Sequence, residues 1–123
     1  MSLYTDLKNS EISVVKVTPQ QIHAVFQFDG KLDLFKGHFP ENPILPGIFQ
    51  IEMVKYALEK SFGAGLNIKS VKKTKFSNLI HPEKNVELDI AINSEKTNLL
   101  AVKAVLRVDE TIAGKINLVL TEK

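Results

Sequence analysis

PGIFQIEMVKYALEKSFGAG, residues 46–65, is the stretch on which the fold turns. It reads as a helix from Gly47 to about Ser61, entered through Pro46 and stopped by Gly63-Ala64-Gly65. At about 100° per residue, Ile51, Met53, Val54, Ala57, Leu58 and Phe62 share one broad apolar arc, the expected core face. Lys55, Glu59 and Lys60 fall mostly on the other side, and Glu52 and Tyr56 lie with them. Gln50 is the reverse case, a polar side chain inside the apolar arc. A partner at a buried interface would account for both Glu52 and Gln50, since neither arc would then face bulk water.

Outward from this helix the pattern is β. EISVVKV (11–17) and QIHAVFQF (21–28) precede it, joined by the TPQQ turn. IKSVKKTKF (68–76), VELDIAIN (86–93), LLAVKAVLRV (99–108) and TIAGKINLVL (111–120) follow it, with VDET as a hairpin turn. Ile22, Ala24, Phe26 and Phe28 recur at period two with His23, Val25 and Gln27 between them, and Leu100, Val102, Ala104 and Leu106 alternate in the same way. Strands that follow one another so closely form an antiparallel sheet. One sheet and one helix bury each other best if the sheet curls around the helix. The fold class is therefore α+β, with about six strands wrapped around one central helix in a single domain over residues 1–123.

Composition narrows the function. Apolar residues make up 44% and charged residues 24%, which suits a packed soluble domain. The absence of cysteine excludes a disulfide scaffold, a thiolate metal site and a Cys nucleophile. Three histidines without regular spacing make no metal site. His23 falls on the polar face of a strand, and His81 lies in the turn IHPEKN as a structural residue. No apolar run approaches the roughly 20 residues of a membrane span. MSLYTDLKNSE has no apolar segment of signal-peptide type, so a cytoplasmic protein is expected. A net charge of only +2 argues against binding nucleic acid across the surface. It leaves room for one basic patch, and Lys69, Lys72, Lys73 and Lys75 are the densest cluster.

The chemistry concentrates in GHFPENPILPGIFQIE, residues 37–52. Pro40, Pro43 and Pro46 stiffen the path between His38 and Glu52. His38 titrates near neutrality and suits general-base work, although an exposed loop histidine fits the same position. Gly47 stands at the helix N-terminus, where N–H groups are free and a ligand oxygen can come close. An enolate-like thioester oxygen would be stabilised there; an ordinary Pro-Gly helix entry also fits. Glu52 suits an acid or a water-orienting group, or else a solvated residue paired with Lys55 or Lys60.

Gly37, His38, Phe39, Pro40, Asn42, Pro43, Pro46, Gly47, Gln50 and Glu52 stand in register with a known signature. The segment closely resembles that of the 3-hydroxyacyl-ACP dehydratases of type II fatty-acid synthesis, which have the hotdog fold. The fourteen-residue spacing from His38 to Glu52 matches, and IKSVKKTKFSNLIHPEKNVELDI resembles the family's strand, Pro-containing turn and strand. The resemblance implies a homodimer, or a trimer of dimers, with the sheets joined into one. It implies an active site at the dimer interface, with His38 from one chain and Glu52 from the other. His38 would take the proton next to the thioester carbonyl. Gly47 N–H would hold the thioester oxygen, and Glu52 would assist departure of the 3-hydroxyl as water. Phe39, Pro46, Gln50 and Tyr56 would line the substrate, and no cofactor or metal is required. The substrate would ride on the phosphopantetheine arm of acyl carrier protein; Lys36, Lys69, Lys72, Lys73 and Lys75 would suit steering of that acidic partner, and a solvated strand face fits the same lysines.

Three departures stand out. Tyr56 replaces a common Gln, Glu41 replaces a frequent Gly, and the family's His/Arg/Tyr/Pro/Phe-rich N-terminal segment is missing. The short N-terminus resembles specialised dehydratase-like members serving aryl-polyene or similar secondary pathways. Three other readings compete. One is a hotdog acyl thioesterase. Another is a hydratase using Asp33 and His38, five residues apart but without the expected Asn-Pro. The last is a non-catalytic acyl-binding subunit, alone or in a heterodimer.

Overall fold

The computed structural model of the protein describes residues 3–35, 43–96 and 98–123. Seven strands form one antiparallel sheet: β1 (Glu11–Thr18), β2 (Gln21–Gln27), β3 (Leu66–Val71), β4 (Lys75–Phe76), β5 (Asn85–Lys96), β6 (Leu99–Val108) and β7 (Thr111–Glu122). Their order is β1-β2-β5-β6-β7-β3, with β4 pairing β7 beyond the end of β3. A long helix, α2 (Gly47–Phe62), packs on the inner face, and a short one, α1 (Leu3–Ser10), precedes β1. The expected hotdog arrangement is thus the observed one.

Register explains the division of faces. In the β2–β5–β6–β7 row, Ala24 pairs Leu88, Leu88 pairs Leu106, and Leu106 pairs Gly114; all four are buried. One residue along, His23 pairs Asp89 and Asp89 pairs Val105 on the outer face. Period two thus separates core from surface in these strands. The β6–β7 hairpin turns at Asp109 and Glu110, both with positive φ (51° and 68°), as a two-residue turn matched to strand twist requires.

Three features differ from the sequence reading. IKSVKKTKF is not one strand: the pairing with β7 lapses between Val71 and Lys75, and β4 resumes it for two residues. The second is α1, which the polar N-terminus did not announce. A helix of eight residues is marginal alone; this one is held by Leu7, which is buried in the core cluster. The third follows from α1. Tyr56, placed by periodicity on the outer arc of α2, is only 4% exposed. The Tyr4 ring covers it from α1 at 5.6 Å, and the Phe26 ring meets it edge-on at 6.0 Å.

Helix α2 ends as its sequence indicates. Gly63 adopts the left-handed conformation (φ 67°) and donates to the Glu59 carbonyl at 2.8 Å. Its start is different in kind. Pro46 occupies the cap position in an extended conformation, and no side chain caps the first turn.

Candidate active site

The N-terminus of α2 is fixed from two sides. Leu45 N–H donates to the Ile80 carbonyl at 2.7 Å, and His81 Nδ1 lies 3.0 Å from the Pro43 carbonyl oxygen. The end of the proline-rich segment is therefore pinned to the connection between β4 and β5, and His81 has the structural role expected of it. The first bonds into the helix run from Phe49 and Gln50 N–H to the Pro46 carbonyl, each 3.1 Å. Gly47 and Ile48 N–H precede them and have no acceptor among the described residues. They are free donors at the positive end of the helix dipole.

Gly47, the first of these donors, lines a groove of about 220 Å³ together with Ile44, Pro46, Gln50, Phe76 and Leu79, among others. The Phe76 ring lies directly over Gly47. A Cβ at position 47 would come within 2.7 Å of its Cε2 atom. Gly47 has no positive φ, so the glycine is required by space and not by backbone conformation. Gly114 on β7 makes room for the same ring from below, and for the Gln50 side chain.

Gln50 is 3% exposed, so the polar residue in the apolar arc is buried within its own chain. Its Nε2 donates to the Leu45 carbonyl at 3.2 Å, while its Oε1 is buried with no partner among the described residues.

Glu52 faces elsewhere. Five residues separate it from Gly47, about 140° around the helix. It is half-buried beside a second small pocket of about 190 Å³, formed with Tyr4, Leu7, Lys55, Tyr56 and Glu59. The two pockets share no residue. Among the described residues the Glu52 carboxylate has no hydrogen bond or ion pair, and Lys60, one of its expected partners, is engaged with Glu11. Lys60 Nζ reaches both Glu11 oxygens at 2.7 and 2.8 Å, and the Tyr56 hydroxyl donates to Glu11 Oε1 at 2.6 Å. Burial pushes the Glu11 carboxyl up, but the Lys60 and Tyr56 hydrogen bonds and the Lys60 charge outweigh it, and its pKa is lowered. Burial first, then the Glu11 hydrogen bond and charge, hold the Tyr56 phenol well above its usual value. Tyr56 is therefore a neutral donor that ties α2 to the start of β1.

Of the sequence candidates, the structure brings together Pro46, Gly47 and Gln50, and separately Glu52 and Tyr56. Lys36, His38 and Phe39 lie outside the described residues. Lys69, Lys72, Lys73 and Lys75 are all exposed. Lys75 adjoins Phe76 in the groove wall and pairs across the sheet with Lys115, which extends the basic patch. Phe76, Leu79 and Gly114 were not visible as site residues. Phe76 lies on the two-residue strand β4, which has no periodicity to read, and Gly114 lies on β7, whose alternation marks it as an inner-face residue without marking it as a site residue.

A sheet wrapped around a helix whose uncapped N-terminus stands at an apolar groove defines the hotdog class. Within it, the chain belongs to the ApeI-like dehydratase family, whose model, described as ApeI dehydratase, matches residues 14–113. A 3-hydroxyacyl-[acyl-carrier-protein] dehydratase of Caldanaerobacter subterraneus is 33% identical over 95 residues, 68% of this chain and 64% of that protein. One from a Thermoanaerobacter strain is 32% identical over 102 residues, 72% of this chain and 69% of its own. The chain thus spans somewhat under two thirds of the first of these relatives. Among solved structures, the dehydratase heterocomplex ApeI:P of Xenorhabdus doucetiae is similar with a TM-score of 0.76 at 28% identity. That match covers 90% of this chain and 96% of the other. An uncharacterized protein of Erwinia carotovora shares the fold, with a TM-score of 0.71 at 24% identity.

Proposed function

We propose that the protein dehydrates 3-hydroxyacyl groups, carried as thioesters on acyl carrier protein, to trans-2-enoyl thioesters. His38 removes a proton from C2. The thioester oxygen takes up the developing charge against Gly47 N–H, and the pair of electrons closes the C2–C3 double bond as the 3-hydroxyl leaves. Glu52 of a second protomer protonates that hydroxyl, so that water departs. Pro46, Phe39, Gln50 and Tyr56 shape the substrate path, and no metal or organic cofactor takes part.

The observation that carries this reading is the first turn of α2: free N–H groups at a glycine that makes space, opening on an apolar groove. Such donors, aimed where charge develops, are worth roughly 10²–10³ in rate. The position of Glu52 supports the two-chain arrangement, since within one protomer it lies on the other side of the helix from the groove. A homodimer is the minimal assembly that this arrangement needs. The Lys69, Lys72, Lys73 and Lys75 cluster, adjoining the groove wall, would receive the acidic carrier, with Lys36 beside the catalytic segment.

The test is enoyl formation from a short 3-hydroxyacyl-ACP, followed by absorbance and mass. His38→Ala and Glu52→Gln should each lose about 10²–10⁴ of the rate. Mixing the two variants and letting protomers exchange should restore roughly a quarter of wild-type activity, because half of the dimers then hold one intact site. Release of free thiol without an enoyl product would point to thioester hydrolysis instead. A folded, dimeric and inactive wild type would count against the assignment as an enzyme.

A further inference from the structure

The buried amide of Gln50 is only half used. The Leu45 carbonyl can only accept, so the Gln50 nitrogen must face it, as it does at 3.2 Å. The amide orientation is thereby fixed, and Oε1 points away, toward β4 and β7. There it meets no donor among the described residues. A Cβ on Gly114 would stand 3.2 Å from it, and the Phe76 ring closes the space from outside. A buried acceptor without a donor is destabilising. An apolar side chain of the same length, on what is otherwise the core face of α2, would fold at least as well. The oxygen therefore calls for a donor that the described residues do not supply.

The surroundings say which donor. Gln50 lies one turn along α2 from Gly47, about 4.5 Å of helix rise, and deeper: Gly47 is half-buried while Gln50 is 3% exposed. Both line the same groove. If the thioester oxygen sits at Gly47 N–H, the carrier arm must run outward to a protein in solution. The acyl side then runs inward past Gln50. On that side, the hydrogen-bond donor near the thioester is the 3-hydroxyl. The Phe76 ring over Oε1 is 45% exposed and is carried on a two-residue strand, so it can turn aside without disturbing the core.

We infer that Gln50 Oε1 accepts a hydrogen bond from the substrate's 3-hydroxyl group, which makes Gln50 the residue that selects 3-hydroxyacyl over plain acyl thioesters. It also holds the C3–O bond in a fixed direction while the hydroxyl accepts its proton. This inference rests on the groove at Gly47 being the thioester site.

Binding separates the two. The probes are carrier proteins loaded with 3-hydroxybutyryl or butyryl groups through an amide in place of the thioester, which slows elimination. Wild type should bind the hydroxylated probe about tenfold or more tightly than the plain one, the effect of one good hydrogen bond. Gln50→Met should bring the ratio to within about twofold, chiefly by weakening the hydroxylated probe, and melt within a few degrees of wild type or above it. Gly114→Ala, which pushes a methyl group against Oε1 while keeping Gln50, should lower the ratio in the same direction. It serves if Gln50→Met does not fold. A wild type that binds both probes equally would overturn the role of Gln50 while leaving the groove as an acyl site. A wild type that binds neither would overturn both readings. A Gln50→Met variant that folds and loses both probes alike would make Gln50 a structural residue.

Discussion

Gly47→Ala is the substitution that tests the site most directly. Because Gly47 has no positive φ, alanine meets no backbone penalty there. As a better helix former it gains up to about 1 kcal/mol. Against this, the new methyl would stand 2.7 Å from Phe76 Cε2 and 2.9 Å from Cζ. Comfortable carbon contacts lie at about 3.5–4.0 Å, so the ring must retreat by about 1 Å. Both atoms are at the far end of a half-exposed side chain, and the retreat is inexpensive. The two effects nearly offset each other, and the melting temperature should move by no more than about 4 °C. Activity should behave differently. The methyl, together with the ring it displaces, narrows the groove in which a thioester oxygen would reach the N–H, and the rate should fall by about 10²–10³. Steady-state dehydration and a thermal melt on the same preparation read both quantities. Gly47→Ala combined with Phe76→Ala is the control: it relieves the clash but leaves the methyl over the N–H, so the activity should stay low. Near-wild-type rates in Gly47→Ala would refute the idea that the glycine exists for close approach, and recovery in the double variant would assign the loss to the displaced ring.

Three further outcomes follow from the charged groups. The Glu11 pKa is lowered in the folded state, so its contribution is present above the unfolded carboxylate value of about 4.3 and is lost as pH falls through the folded value. Melts between pH 3 and 7 should therefore show wild type losing stability faster on acidification than Glu11→Gln; parallel curves would contradict the network with Tyr56 and Lys60. Asp89 accepts from Arg107 at 2.9 Å and lies 2.7 Å from His23 Nδ1, all on the outer sheet face. Exposed pairs of this kind contribute about 0–1 kcal/mol, so Asp89→Asn should leave dehydration unchanged and stability nearly so; a large loss of rate would place chemistry on that face. Charge reversal at Lys72 and Lys73 should raise KM for carrier-bound substrate and leave KM for a pantetheine thioester unaltered. The effect should fade at high salt, and an equal rise for both substrates would argue against carrier docking.

Much of the molecule was legible as pattern. Helix α2 was readable from its entry at Pro46-Gly47 to its stop at Gly63, because helix ends depend on local backbone chemistry. The strands β2, β5, β6 and β7 were readable because each buries one face, which imposes alternation. The strand β4 was not, since two residues carry no period; yet it delivers Phe76 to the groove. The burial of Tyr56 was misjudged because a helical wheel knows only the residues of its own helix. It cannot know that Tyr4 and Leu7, some fifty positions earlier, cover the arc.

By itself, then, the sequence indicated the hotdog class, the extent of its main helix and His38, Gly47 and Glu52 as candidate site residues, since each reading depends on interactions over a few positions or on a motif in register. The tertiary structure decided what these residues face. It joined Gly47 and Gln50 to Phe76 and Gly114 from the far end of the chain, and it drew Lys60 and Tyr56 away to Glu11. It also turned Glu52 from the groove and left one amide oxygen without a donor among the described residues. Such matters are fixed by which surfaces exclude water together, and that is a property of packing between distant segments rather than of any one of them.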